Sequence, residues 1–87
     1  MQADKKTVAR LLKTAKGQVD GVLKMVDEDR YCIDIYNQIS AAEAVLKKAR
    51  REVLKAHFKS CVKQAYADGT EDTKIDELID MFDKMQK

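Results

Sequence analysis

Between Tyr31 and Ala67 the chain contains no glycine and no proline, and this stretch constrains the fold more than any other feature. Glycine and proline are the residues that most often interrupt a helix, so nothing here breaks one. The apolar residues recur at alternating intervals of four and three: Ile35, Ile39, Ala42, Leu46, Ala49 and Val53. Such a seam is typical of an antiparallel coiled coil or a four-helix bundle. The sequence therefore predicts one helix of about 30 residues or more, with a partner helix packed on its seam.

A shorter amphipathic helix is predicted on each side of the long one. The first begins near Asp4, which can cap it, and ends within residues 27–30. The one clear break comes at residues 67–70, and the third helix follows with Asp72 or Thr73 as its cap. No segment has a strand pattern. We therefore predict an all-α fold with three helices in each protomer.

Gly17 and Gly21 lie four residues apart inside the first predicted helix. Each glycine costs about 1 kcal/mol in helix propensity relative to alanine. The missing side chains would let another helix approach, so we predict close packing at this face.

Length and composition favour a small oligomeric protein. The chain has 87 residues, 3 glycines and neither proline nor tryptophan. A single domain over residues 1–87 has difficulty burying a sufficient core alone, so we expect it to oligomerise. No apolar run resembles a signal sequence or a membrane span, and two cysteines in such a chain favour metal or redox chemistry. We therefore expect a cytoplasmic protein that makes no membrane contact.

His57 and Cys61 form the most informative motif. They lie four residues apart in the predicted long helix, so both side chains point from one face. The only other cysteine, Cys32, lies 25 residues before His57. Two thiolates and an imidazole favour soft or borderline cations, Cu(I) first and Zn(II) second, and three ligands suit trigonal Cu(I). The spacing alone leaves two interpretations open: metal binding or thiol chemistry, and an ordinary polar histidine beside a cysteine that serves as a small apolar residue.

One chain cannot close a site from these residues if a single helix carries them all. At the helical rise, Cys32 and His57 stand about 37 Å apart. An antiparallel copy of the helix would bring Cys32 against the partner's His57 and Cys61, giving two sites in a symmetric dimer. This register sets the two-fold axis near Val45 and Leu46, where neighbouring alanines permit close approach. The ligand spacing and the apolar seam thus predict the same antiparallel dimer.

An enzymatic role for the cysteine and histidine finds no support in the sequence. Nucleophilic catalysis needs a third group to orient the base and an oxyanion hole. A short all-helical chain without an exposed nucleophile turn offers neither in a recognisable form. We therefore predict that the protein is not an enzyme.

The charge is unevenly distributed along the chain. Residues 1–67 carry 14 basic and 8 acidic side chains, whereas residues 68–87 carry 3 and 7. Charges on helices usually form only a solvated face, but these bases cluster and a symmetric assembly multiplies the cluster. We predict that the cluster attracts DNA phosphates without reading bases. Its members are Arg10, Lys13, Lys16, Lys47, Lys48, Arg50, Arg51 and Lys55.

With these residues identified, the chain closely resembles the CsoR-type copper-sensing transcriptional repressors of bacteria. The spacing of Cys32, His57 and Cys61, by 25 and then 4 residues, is that family's copper-type ligand pattern. The resemblance covers nearly the whole chain. Other matching segments are residues 12–14, 17–21, 25–26, 31–34, 38–41, 68–69 and 77–80.

The resemblance implies an antiparallel four-helix-bundle dimer and a dimer-of-dimers tetramer that binds operator DNA without a standard recognition helix. It implies Cu(I) between protomers, held by Cys32 of one and by the partner's His57 and Cys61. Copper would weaken DNA binding and so derepress copper-export genes. Tyr31 and Glu77 match positions around the ligands, where a group bonded to the far imidazole nitrogen would fix its tautomer.

Two alternatives to a copper-sensing repressor remain open. Persulfide-sensing relatives keep both cysteines but lack the imidazole, so a thiol-sensing repressor is the nearest alternative. A helical copper buffer or chaperone is the alternative from another class. Strong salt-dependent DNA binding distinguishes a repressor from a buffer.

Overall fold

In the computed structural model the protein consists of three helices. The backbone is described for residues 1–66 and 71–85, and the side chains of residues 61, 62, 64–66, 71–75, 78 and 85 lie outside that description. The helices are α1 (Lys5–Asp27), α2 (Cys32–Tyr66) and α3 (Glu71–Met85). Neither described stretch contains a strand. The prediction of an all-helical, three-helix protomer is confirmed.

The long helix is continuous, whereas the predicted cap of α3 is wrong. α2 runs for 35 residues without interruption. Asp72 and Thr73 lie inside α3, which already begins at Glu71, so neither has the non-helical backbone of an N-terminal cap. The predicted break at residues 67–70 lies outside the described residues. No helix in the described ranges is long and apolar enough to cross a lipid bilayer.

α1 begins directly after Asp4, its predicted cap, and ends in a Schellman motif. The Arg30 amide donates to the Met25 carbonyl oxygen, and the Asp29 amide donates to the Val26 carbonyl oxygen, each at 3.0 Å. Asp29 has a φ of 54°, in the left-handed region that glycine adopts without a steric penalty. The predicted end of α1 is therefore confirmed, with an aspartate at the position that usually favours glycine.

The chain divides into two compact units, and α2 contributes to both. The first unit is Lys6–Ala49, which contains most of α1 and the first half of α2. Its buried apolar side chains come from both helices: Val8, Leu11, Ala15, Ala42 and Ala49. Three of the five are alanines, whose small side chains allow helix backbones to approach closely.

The apolar seam predicted on α2 separates into two stripes, each with a period of seven residues. Ala42 and Ala49 are buried and Ile35 is half-buried, so this stripe packs within the chain. The second stripe, called the exposed seam below, remains accessible to solvent: Ile39, Leu46 and Val53. α1 carries exposed apolar residues with the same period: Leu12, Val19 and Val26. Rows of exposed apolar side chains mark an interaction surface.

Gly17 and Gly21 make no close helix contact within the described part of the chain. A Cβ atom built at either glycine meets no atom of another element within 4 Å. The predicted close packing is therefore not provided by the chain's own described helices.

The second unit combines Met1–Lys5 with Arg50–Lys87. Ile79 of α3 is fully buried and Ala3 is nearly so, and these are the buried apolar side chains described in this unit. Ion pairs also join α2 to α3, including those of Arg51 with Asp80 and Asp83. Ion pairs thus contribute to the described contact between these two helices.

Replacing Asp29 by glycine should stabilise the protein. Because glycine has no Cβ to strain at this φ, the free energy of unfolding should rise by about 0.5–1 kcal/mol. Urea denaturation at a fixed protein concentration measures the change. The matched control, Asp20→Gly in the middle of α1, should lower it by up to about 0.5 kcal/mol, because glycine is the poorer helix former. A less stable Asp29→Gly variant would contradict the cap geometry.

Candidate metal centre and nucleic-acid interface

Cys32 is the first residue of α2, and its thiol is exposed and unpaired by any disulfide. Tyr31 is the N-cap residue just before the helix, because its carbonyl oxygen accepts a hydrogen bond from the Ile35 amide at 3.2 Å. The Tyr31 side chain is also exposed. A free thiol, the kind of group that binds a soft metal, therefore lies at the accessible N-terminal end of α2.

His57 and Cys61 lie one helical turn apart in the C-terminal part of α2. The side chain of Cys61 is outside the described set. The His57 side chain is exposed, and its ring lies beside that of Phe58 with the centroids 6.2 Å apart. The backbone thus carries the predicted imidazole and thiol at the i, i+4 spacing that suits two ligands on one helical face.

A cavity of about 660 Å³ lies beside His57. Most of its lining is apolar and comes from Met1, Val53, Leu54 and Phe82. Apolar side chains around a metal ligand limit solvent access and lower the local dielectric constant. His57 therefore lies beside a largely apolar surface, whose lining also includes the cation of Arg50.

Cys32 lies far along α2 from His57 and Cys61. Cys32 and His57 lie on the same continuous helix, 25 residues apart, and the helical rise keeps such positions apart. Among the side chains that are described, no three of the types His, Cys, Asp and Glu are grouped to hold a metal. Glu77 is exposed on α3. A site built from these residues needs ligands from more than one chain.

Basic side chains of α1 line a polar groove of about 540 Å³. Lys6, Arg10 and Lys13 supply its cations, and Ala9 and Thr14 complete the lining. The Thr14 hydroxyl donates a hydrogen bond to the Arg10 carbonyl oxygen at 3.0 Å. Two of the predicted DNA-contacting residues are therefore brought together here, and Lys6, which the sequence analysis did not select, joins them.

The predicted DNA-contacting residues Arg51 and Lys55 are engaged by α3. The Arg51 guanidinium is hydrogen-bonded and ion-paired with Asp80, and its Nε lies 2.8 Å from Asp83 Oδ2. Partial burial lowers the pKa of Arg51, but the two carboxylates outweigh that effect and raise it above its usual value. Lys55 Nζ lies 3.3 Å from Asp76 Oδ1. These two cations are thus less available to DNA than the sequence alone suggests.

The other predicted DNA-contacting residues are accessible. They are Lys16, Lys47, Lys48 and Arg50. None of them forms an ion pair with another residue in the described part of the chain. Their positive charges remain available to an external polyanion.

Sequence reasoning missed the acidic partners on α3. Asp76, Asp80 and Asp83 recur at four- and three-residue intervals, the spacing of one helical face. Lys59 was also missed, although it continues the four-residue spacing of Arg51 and Lys55. The last 20 residues have an excess of acidic side chains and the earlier part of the chain has an excess of basic ones. This difference was the signal from which ion pairs between α2 and α3 could have been predicted.

The chain matches a known protein family over most of its length. Residues 4–84 match the family of metal-sensitive transcriptional repressors. The copper-sensing transcriptional repressor CsoR of Mycobacterium ulcerans (strain Agy99) is 44% identical over 78 residues, covering 88% of this chain and 67% of that protein. CsoR of Bacillus subtilis (strain 168) is 40% identical over 84 residues, covering 97% of this chain and 83% of that protein.

A solved structure has the same architecture. The crystal structure of the copper-sensing repressor CsoR with Cu(I) from Geobacillus thermodenitrificans NG80-2 aligns with a TM-score of 0.68 and 37% identity, covering 100% of this chain and 94% of that one. The resemblance to CsoR-type repressors is confirmed. Because the family consists of transcriptional repressors, the prediction that the protein is not an enzyme is confirmed as well. By sequence and by fold, the chain belongs to the family of metal-sensitive transcriptional repressors.

Proposed function

We propose that the protein is a cytoplasmic, Cu(I)-responsive repressor that binds operator DNA without copper and leaves it when Cu(I) binds. Genes for copper export or homeostasis would then be transcribed. The observation that carries the proposal is the symmetry of the exposed seam, since the register it favours also completes a copper site. The relatives named as copper-sensing repressors, and a structural neighbour crystallised with Cu(I), support the choice of metal.

The exposed seam is symmetric about Leu46. Ile39 precedes Leu46 by seven residues, and Val53 follows it by seven. If two copies of α2 pack antiparallel with their Leu46 side chains in contact, Ile39 lies opposite the partner's Val53. All the exposed apolar side chains of the seam are then buried together. This supports an antiparallel dimer whose bundle also includes α1 of each chain.

The same register completes the proposed metal site. Cys32 lies fourteen residues before Leu46, so its counterpart is position 60, between the partner's His57 and Cys61. Each dimer would hold two sets of thiolate, imidazole and thiolate, related by the two-fold axis. The register follows from exposed apolar side chains alone, so its agreement with the ligand positions is independent support.

The donor set suits Cu(I) chemically. Two thiolates and one imidazole are soft ligands that satisfy a trigonal Cu(I), whereas structural Zn(II) sites usually have four ligands. Tyr31 adjoins Cys32, and Glu77 is exposed on α3. A hydrogen bond donated by the far ring N–H of His57 to an oxygen of one of these side chains would orient the ring and connect the metal to its surroundings.

In this proposal, DNA binds mainly to the basic groove of α1 and to the accessible cations of α2. The groove lined by Arg10 and Lys13 concentrates positive charge and has the hydrogen-bond donors that phosphate oxygens require. A homotetramer built from two dimers would repeat this groove on every chain. Repetition of a weak phosphate-binding surface raises affinity without any base-specific contact.

Alanine at Cys32 or at Cys61 should abolish tight Cu(I) binding, because only two ligands remain. Cu(I) affinity, measured by anaerobic competition with a chelator, should fall more than about 100-fold. Loss of a residue that only hydrogen-bonds to a metal ligand already lowers metal affinity by about 10- to 100-fold, and loss of a ligand itself should cost more. DNA binding without copper should persist in both variants.

Ser60→Ala is the matched control for these variants, because Ser60 lies between His57 and Cys61 and is not a proposed ligand. It should keep the parent's copper affinity. Full affinity in either cysteine variant contradicts the copper site. Release of operator DNA by a persulfide donor but not by Cu(I) would favour the thiol-sensing alternative.

Neutralising the α1 groove should reduce the salt dependence of DNA binding. In Arg10→Gln/Lys13→Gln, the slope of log affinity against log salt should flatten by about 0.9 for each lost phosphate contact. Arg51→Gln is the control and should change the slope less, because Asp80 and Asp83 already engage that charge. Fluorescence anisotropy at several salt concentrations measures both. A larger change for Arg51→Gln would move the principal footprint to α2.

A further inference from the structure

Three cations of α2 face three carboxylates of α3 within the second unit. Lys59 Nζ and Lys55 Nζ lie 3.9 and 3.3 Å from Asp76 Oδ1, so this carboxylate serves two lysines. Arg51, further towards the N-terminus of α2, pairs with Asp80 and Asp83, further towards the C-terminus of α3. The pairs therefore follow an antiparallel order along the two helices, and they are called the charge ladder below.

The charge ladder holds Arg51 most firmly. Its guanidinium contacts two carboxylates at once, and the Asp83 side chain is only 16% exposed. Arginine binds phosphate groups through the same guanidinium N–H donors that here contact the two carboxylates. Two aspartates thus occupy the donors that a DNA backbone would use.

We propose that α3 is an intramolecular competitor of DNA, whose carboxylates occupy Arg51, Lys55 and Lys59 in place of DNA phosphates and so limit the affinity of the protein for DNA. The proposal rests on the proposed function as a DNA-binding repressor. When DNA approaches this face, phosphates have to displace the aspartates, and part of the attraction is used in breaking the ladder. Removing the aspartates frees the cations for phosphate contacts.

The test variant is Asp80→Asn/Asp83→Asn, which keeps side-chain size and removes two negative charges that contact Arg51. Affinity for operator DNA without copper should rise by up to about fivefold, the equivalent of an exposed ion pair. The slope of log affinity against log salt should steepen by about 0.9 for each Arg51 that gains a phosphate. Fluorescence anisotropy across a salt series measures both quantities.

The matched control is Glu43→Gln/Glu52→Gln, which makes the same change in net charge on α2. Both glutamates are exposed, and neither forms an ion pair with any residue that the structure describes. An equal gain in this control would show that net charge alone is responsible, and it would overturn the proposal.

A second background isolates the contact itself. In Arg51→Gln, the two aspartate substitutions should no longer increase affinity, because the cation that they release is absent. A gain of the same size in this background overturns the proposal. So does the absence of any gain in the parent background.

Two further measurements keep the outcome decisive. The single variant Asp80→Asn, at the more exposed aspartate, replaces the double variant if circular dichroism shows a loss of helix. The salt concentration at which each protein elutes from immobilised heparin reports the same cations without an operator. If the parent fails to bind operator DNA, the proposed function fails, but the heparin measurement still tests the charge ladder. Elution of the aspartate variant at a higher salt concentration than the parent supports the ladder. Unchanged elution overturns it.

Discussion

The continuity of α2 is the constraint on which the rest of the account depends. One helix extends from Cys32 to Tyr66, so it carries Cys32 at one end and His57 and Cys61 towards the other. A helix cannot fold back to join them. A copper site made from these ligands therefore forms only where two chains meet. In the proposed function, copper binding would act on the arrangement of chains, and this would give the metal a physical route to DNA affinity.

Side-chain size and charge give α2 three different faces. Alanines at 42 and 49 are buried inside the first unit, and the larger residues of the exposed seam, Ile39, Leu46 and Val53, remain in solvent. A third face carries the cations of the charge ladder towards α3. One helix thus supplies a core contact, a surface suited to a second chain and an electrostatic contact with α3, without interruption of its backbone.

The helices themselves follow directly from the sequence. The absence of glycine and proline between Tyr31 and Ala67 predicts α2, and Asp4 marks the start of α1. The division of the seam into two stripes could not be predicted, because alanine and leucine both count as apolar and only the position of a neighbouring helix separates them. The cap of α3 was misplaced for a local reason, since several residues after the break can cap a helix.

The residues of the candidate metal site could be predicted from the sequence, whereas the charge ladder could not. Cys32, His57 and Cys61 are few and chemically distinctive, so their positions on one helix suffice to suggest a shared site. The pairing of Arg51 with Asp80 and Asp83 depends on the register between two helices joined through residues 67–70. Sequence periodicity defines a face of each helix but leaves that register undetermined.

Reconstitution of the copper site from two defective chains tests the central claim most directly. A Cys32→Ala chain is mixed with an equal amount of a His57→Ala/Cys61→Ala chain under conditions that exchange subunits, and tight Cu(I) binding is measured anaerobically. Half of the dimers should then be mixed, each with one intact and one empty site, which gives about one tight site for every four chains. If the exchanged mixture binds no more Cu(I) than the separate parents, the site does not span two chains.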